Sequence, residues 1–375
     1  MGGIGSFYGK QLVDMAPYVS DAEDDDDDDT GLDDEVDYDQ TSYKREMEKR
    51  KSKGGKDVRE LGPNSLFTAV PSRPFFPRGF FWDEGFHQML IGTWDNDLSL
   101  EIIKSWFDLL DKDGWVAREQ ILGEEARSKV PAEFQVQFPY HSNPPTLIMP
   151  VLAYLERLNR AQDLRLAFGE TQYTALNDAN FLRNRHLLDQ KLAIAYLKEL
   201  YPKLRLRYEW LRKTQAGDFK KFKRRTKSKE GYRWRGRVGS HTLTSGLDDY
   251  PRTMPPHVGE LHVDLLCWMA WYADGLKRVA EFLVEGGLME FAEDVAVFDE
   301  QATNMKVNLE KIHWDDDVKA FCDTTVNHFG MNCFFLSFLN STRTMTILRR
   351  ALTQSKQPKP SQSATLGISH YSHSR

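Results

Sequence analysis

Cysteine is scarce in this chain, and the scarcity sets its first limits. Three cysteines occur in 375 residues, Cys267, Cys322 and Cys333, widely spaced. An odd count argues against a disulfide framework, and no Cys-x-x-Cys or Cys/His spacing suggests zinc. Cys267, inside the apolar run Leu265 to Met269, reads as a small buried hydrophobe. No apolar run approaches the ~20 residues of a membrane span. The N-terminus carries neither a basic patch nor an apolar signal core. The acidic run Asp24 to Asp29 lacks the spaced ligands and turn glycine of an EF-hand loop. From Met331 to Arg375 acidic residues vanish altogether, while Arg343, Arg349, Arg350, Lys356, Lys359 and Arg375 remain.

What is present divides the chain into unlike parts. Residues 21–62 are dominated by charge, with so little to bury that a disordered insertion is expected. Residues 1–20 precede it as the start of a globular domain, and 63–330 continue that domain. Residues 331–375, with their sudden loss of acids, read as a divergent, disordered tail carrying the formal sequon Asn340-Ser341-Thr342. Between 63 and 330 the apolar spacing is helical and no period-two repeat competes with it. Leu98, Ile102, Phe107 and Leu110 form one stripe, and Leu147, Ile148, Val151, Leu152 and Leu155 another after Pro145. Leu187 to Tyr196 predicts a third helix, and Leu204, Tyr208 and Leu211 a separate fourth. Leu261 to Gly286 and Phe291 to Ala302 complete the series. With one helix expected near the N-terminus, the pattern yields about seven or eight, and the fold class is all-α.

The most informative stretch runs from Arg73 to His87: Arg-Pro-Phe-Phe-Pro-Arg-Gly-Phe-Phe-Trp-Asp-Glu-Gly-Phe-His. A surface loop would leave Phe75, Phe76, Phe80, Phe81, Trp82 and Phe86 in water. Pro77 and Gly79 argue against an ordinary core helix. A stiff segment that wedges Asp83 and Glu84 against aromatic faces is expected instead. Desolvation there would raise a carboxyl pKa, as a general acid needs near neutral pH, and aromatic faces beside acids suit sugar rings. The alternative is an aromatic turn whose acids pair with Arg73 and Arg78. Arg78 can also clamp the loop through Glu84 or a backbone carbonyl, or face a substrate. His87 reads as a hydrogen-bonded core histidine.

Phe-Pro-Arg-Gly-Phe-Phe-Trp-Asp-Glu-Gly-Phe-His resembles the catalytic-domain motif of the processing alpha-glucosidase I family, the mannosyl-oligosaccharide glucosidases. Further stretches match in order: Asp113 to Glu133, Asn143-Pro144-Pro145-Thr146-Leu147, Tyr232 to Arg237, Ser245 to Arg252, and Gly2 to Val13 at the start. The resemblance covers roughly Gly2–Val13 and Leu66–Gly330. It implies an (α/α)6 toroid, incomplete at the C-terminus because a six-fold ring of helix pairs has twelve helices. It implies a membrane anchor and an N-terminal β-sandwich ahead of the domain, neither of which this sequence contains, so that the chain is expected to be truncated at both ends.

The resemblance also implies an activity: inverting removal of the outermost alpha-1,2-linked glucose from the triglucosylated N-glycan precursor in the endoplasmic reticulum. Asp83 falls on the general acid. Phe76, Phe80 and Trp82 fall on aromatics around the terminal glucose, and Arg118, Glu119 and Asp248 are similarly placed as binders. The catalytic base falls on no residue of this sequence. Inverting enzymes hold two carboxyl groups about 6.5–9.5 Å apart, which adjacent Asp83 and Glu84 do not provide. Glu119, Glu124, Glu125, Asp248 and Asp249 are the local candidates, and ion pairs with Arg118, Arg127 or Arg252 are their structural alternative. No cofactor is expected, since proton transfer between carboxylates and water needs none. The expected partner is a glucosylated high-mannose N-glycan. Nucleic acid is not expected, because the basic stretch Lys220 to Arg237 belongs to a loop between helices, and no membrane contact is expected from the chain itself. The competing expectation is a truncated relative that binds glucosylated glycan without turnover, or folds poorly.

Overall fold

The computed structural model describes residues 3–16, 57–169, 183–237, 241–250, 252–253, 256–327 and 330–334, all within the compact unit Met1–Leu336. The acidic run, the sequon and the basic residues of the tail lie outside the described residues.

The chain opens on a strand. β1 (Ile4–Asp14) pairs antiparallel with β2 (Val58–Ala69), from Ile4 opposite Ala69 to Asp14 opposite Val58. The expected N-terminal helix is therefore absent among the described residues. Gly3, Gly5 and Gly9 disfavour a helix there, and Phe7, Gln11 and Val13 alternate inward while Ser6, Tyr8 and Lys10 face out. This period of two is hard to see because Gly9 and Gln11 occupy inward positions. β2 also begins at Val58, inside the stretch expected to be a disordered insertion, so residues 58–61 are paired with β1.

The rest is mainly helical. After the short strand β3 (Gly79–Phe80) come α1 (Phe81–Trp94) and α2 (Asn96–Phe107). Asp95 separates them and caps α2, its carboxylate accepting from Leu98 N at 2.9 Å. β4 (Glu119–Gln120), α3 (Gly123–Arg127) and β5 (Val136–Gln137) follow, β5 running parallel to β1. α4 (Ile148–Phe168) stops at Gly169, whose φ of 77° suits glycine. A single turn, α5 (Arg185–Leu188), leads into α6 (Gln190–Thr214), capped by Asp189. The two stripes expected as separate helices, around Leu192 and Leu204, are one helix that carries Pro202 in its interior.

α7 (Val263–Glu285) packs against α4, α6 and α8 (Ala292–Asn308), while α1 packs against α2 and α4. Tyr208 of α6 meets Tyr272 of α7 and Phe298 of α8 edge-on, with ring centroids 5.4 and 5.6 Å away. Both tyrosines are buried but satisfied: Tyr208 donates to Gln301 and Tyr272 to the Leu204 carbonyl. Short strands close the described chain: β6 (Trp314–Asp315) with β7 (Ala320–Phe321), and β8 (Asp323–Asn327) with β9 (Gly330–Phe334). The start of the expected disordered tail, residues 331–334, is thus paired backbone. The described residues form eight helices, so the mainly helical pattern expected is present, with a β1–β2 hairpin added. None is long and apolar enough to cross a membrane.

Candidate active site

The aromatic motif is shaped by its glycines. A Cβ on Gly79 would lie 2.7 Å from the Trp106 ring and 2.8 Å from Leu66, so only glycine lets β3 rest on this core. β3 then pairs with β4, setting Gly79 opposite Gln120 and Phe80 opposite Glu119, and Phe81 N donates to the Arg118 carbonyl at 2.9 Å. The chain turns helical immediately afterwards. Asp83 and Glu84 therefore stand in the first turn of α1, not in an extended wedge: Pro77 and Gly79 end before the helix starts. Acids in a first turn also suit the positive end of the helix dipole.

One residue apart on a helix means about 100° around its axis, and the two acids diverge accordingly. Glu84 is 0% exposed. Its carboxylate accepts from Thr68 Oγ1 at 2.7 Å, Ala69 N at 3.3 Å and Gln88 Nε2. Asp83 is only part-buried. Burial pushes its carboxyl above the ordinary range, helped by the charges of Glu84 and Glu119 and opposed by a backbone hydrogen bond and His87. Two neighbouring carboxyl groups thus stand in different surroundings.

Arg78 pairs with neither Glu84 nor a carbonyl. Its Nε donates to Glu119 Oε2 at 2.7 Å, and its guanidinium lies over the rings of Phe80 (4.7 Å) and Phe76 (5.6 Å). Arg73 goes instead to Glu125, 3.4 Å away, and over Phe7. The aromatics are not uniformly buried: Phe81 is interior, Phe80 and Trp82 are half-buried, and Phe75 is 70% exposed. Phe76 and Phe86 are each 44% exposed. Phe76 meets Phe80 edge-on, and Phe86 meets Trp82 likewise at 5.5 Å.

A second loop reaches the same place. Gly246, at φ +72°, sits against the Trp82 indole so closely that a Cβ would fall 2.8 Å from the ring. Two residues on, Asp248 lies on the exposed rim. Partial burial raises its carboxyl, against the pull of Arg118 and with Asp249 and Glu119 adding to the rise. The loop's end is anchored by Arg252, 1% exposed in its side chain, which donates to Asp264 at 2.9 Å and Asp323 at 2.7 Å. Asp83 thus feels the charge of Glu119, and Asp248 those of Arg118 and Glu119, while Phe76 and Phe80 lie against Arg78 and Trp82 against Gly246.

The model of the "Glycosyl hydrolase family 63 C-terminal domain" matches residues 1–364. The chain belongs to glycosyl hydrolase family 63. The family match continues past Gly330 and through the charged stretch. A probable mannosyl-oligosaccharide glucosidase of Schizosaccharomyces pombe is 53% identical over 268 residues, 71% of this chain and 32% of that protein. The mannosyl-oligosaccharide glucosidase of Saccharomyces cerevisiae is 38% identical over 341 residues, 87% of this chain and 37% of that protein. The chain spans about a third of the length of these relatives. A family 63 mannosylglycerate hydrolase from Thermus thermophilus, solved in complex with glucose, superposes with TM-score 0.43 at 15% identity, covering 68% of this chain and 64% of that one.

Within this family 63 chain the remaining acids separate clearly. Glu124 and Glu125 are exposed on α3, and Asp249 is exposed beside Asp248. Of the alternative partners for Glu119, Arg118 lies at 4.0 Å, whereas Arg127 pairs with Glu60 and Arg252 with Asp264 and Asp323. His87 is not a core residue: it is part-exposed, with Nδ1 3.4 Å from Glu84. In the basic loop, Arg224, Arg233 and Arg237 are buried, as are Tyr232 and Trp234, and Arg237 pairs with Glu260.

Sequence reasoning missed Thr146. Its hydroxyl donates to the Trp82 carbonyl at 2.5 Å, and Gly85 packs so tightly on it that a Cβ would approach to 2.4 Å. The available signal was the Asn-Pro-Pro-Thr motif itself, which composition alone gives no task.

Proposed function

We propose that this chain carries the acid half of an inverting glycosidase that removes the terminal alpha-1,2-linked glucose from the triglucosylated N-glycan precursor, in the endoplasmic reticulum. Asp83 is the general acid, handing its proton to the departing glycosidic oxygen. Phe76, Phe80 and Trp82 shape the pocket for the terminal glucose, and Arg118, Glu119 and Asp248 bind its hydroxyls. One observation carries the reading: Asp83 is the part-buried acid of an adjacent pair, raised by desolvation and flanked by half-buried rings, while its neighbour Glu84 is wholly engaged in internal hydrogen bonds. Desolvation of this kind favours the protonated form that a general acid needs. Membership of family 63 and the glucosidase relatives support the substrate class.

The test is release of glucose from triglucosylated oligosaccharide by the purified chain. Activity lost in Asp83→Asn supports the assignment, and activity retained refutes it. A second reading is favoured by the engagement of Glu119, which Arg78 holds away from base duty. Under that reading the chain binds glucosylated glycan without turning it over. Saturable binding with no glucose released would identify it.

A further inference from the structure

Glu84 and His87 have no part in the chemistry proposed above, yet they are the best-held polar pair beside it. Three donors converge on Glu84. Thr68 and the Ala69 amide come from β2, and Gln88 comes from the next turn of α1. Thr68 in turn accepts from the Trp106 indole N–H of α2 at 2.9 Å. Three elements are therefore fastened at one fully buried carboxylate, immediately next to Asp83. On the other side Thr146 holds the Trp82 carbonyl and closes on Gly85. Residues 82 to 85 are fixed from both sides, and with them the direction in which Asp83 leaves the helix.

An acceptor-only carboxylate with no solvent contact needs compensating positive charge. Among the described residues, the basic side chain that pairs with Glu84 is His87. It lies three residues on, one turn along the same face, with Nδ1 3.4 Å from Glu84 Oε2. It is also four residues from Asp83, so it shares a helix face with that residue too. The charged groups facing Asp83 are His87 and Glu84 on α1 and Glu119 on β4; those facing His87 are Glu84 and Asp83. From β2, α2 and Thr146 come neutral donors and packing only.

We infer that Glu84 and His87 form an ion pair that fixes the orientation of Asp83 and sets the charge it faces, making both positioning residues for the glycosidase reaction. The inference rests on Asp83 being the acid. The pair's hydrogen bond holds the His87 imidazolium above the usual histidine range, against burial, which pulls it down. Its positive charge steadies an ionised Asp83, while Glu84 opposes it. Removing the His87 charge should therefore make Asp83 hold its proton to higher pH.

The experiment follows two titrations by NMR in the full chain: the His87 ring signals and the Asp83 carboxyl carbon, assigned through Asp83→Asn. In the parent, His87 titrates above the ordinary value of about 6.5. Glu84→Gln brings the His87 midpoint down toward that value, and His87→Gln moves the Asp83 midpoint up. A His87 midpoint that is the same with and without Glu84 overturns the inference, as does an Asp83 midpoint indifferent to His87. Should Glu84→Gln fail to fold, His87→Gln decides alone, because the side chain is part-exposed and glutamine keeps an N–H donor for Glu84. These titrations do not depend on turnover. If Asp83→Asn retains glucose release while the midpoints move as expected, the acid assignment fails and the charge pairing stands.

Discussion

Arg78 and Glu119, 41 residues apart in sequence, are joined by a 2.7 Å hydrogen bond with both side chains largely withdrawn from water. The bond ties the loop entering α1 to β4, so two pieces of the candidate site move as one. Removing one partner leaves an uncompensated charge among aromatic rings, and breaking such a pair costs roughly 3–5 kcal/mol when fully buried. Arg78→Met is expected to lose about 3 kcal/mol of unfolding free energy in urea titrations. Arg78→Met combined with Glu119→Leu should recover much of it, and a double variant no better than the single would refute the pairing.

Gly246 gives a sharper local test. An alanine there meets the Trp82 ring and must also hold a left-handed backbone, itself about 1–2 kcal/mol unfavourable. Gly246→Ala is expected to lower the midpoint of thermal unfolding and to free the Trp82 indole, seen as a change in fluorescence. Unchanged stability and emission would show that the two loops are independent.

Asp83 makes the native state less stable as pH rises. Its folded carboxyl binds a proton more tightly than the unfolded one, so its stabilising effect is full below the unfolded value near ~3.9 and is lost as pH climbs through the raised folded value. Asp83→Asn should therefore be more stable than the parent at pH 7, with the gap closing below about pH 4. Calorimetry at both pH values checks it, and a variant less stable than the parent at pH 7 contradicts the shift.

Glu260 behaves oppositely. Burial alone would raise it, but hydrogen bonds from His262 and Thr253 and the Arg237 charge hold it at about 2. Its contribution is full above the unfolded value near ~4.3 and is lost as pH falls through the folded one. Glu260→Gln should lose stability at pH 7 and lose less at pH 2.5, as measured by urea midpoints. An equal loss at both would rule out an ionic contribution.

Much of this was legible in the chain because helices announce themselves locally: the stripes around Leu98, Leu152, Leu265 and Phe298 all lie on helices. The divergence of Asp83 and Glu84 was legible too, since neighbours cannot face one cleft together. What escaped were relationships between distant residues. β1 finds its partner beyond a long charged stretch, and its inward positions at Gly9 and Gln11 conceal the alternation. The first turn of α1 was obscured by Pro77 and Gly79, which belong to the segment before it. Arg78 found Glu119 rather than its near neighbour Glu84, because pairing across β3 and β4 is a property of the fold.

The β1–β2 hairpin has a consequence for evolution. Asp14 accepts from the amides of Ala16 and Asp57, and Met15 N donates to the Asp57 carbonyl at 2.8 Å. The polypeptide thus departs and returns through a single stapled gateway. Strand pairing, whose register runs from Ile4 opposite Ala69 to Asp14 opposite Val58, therefore suffices to bring Thr68 and Ala69 to Glu84 whatever sequence joins the two strands.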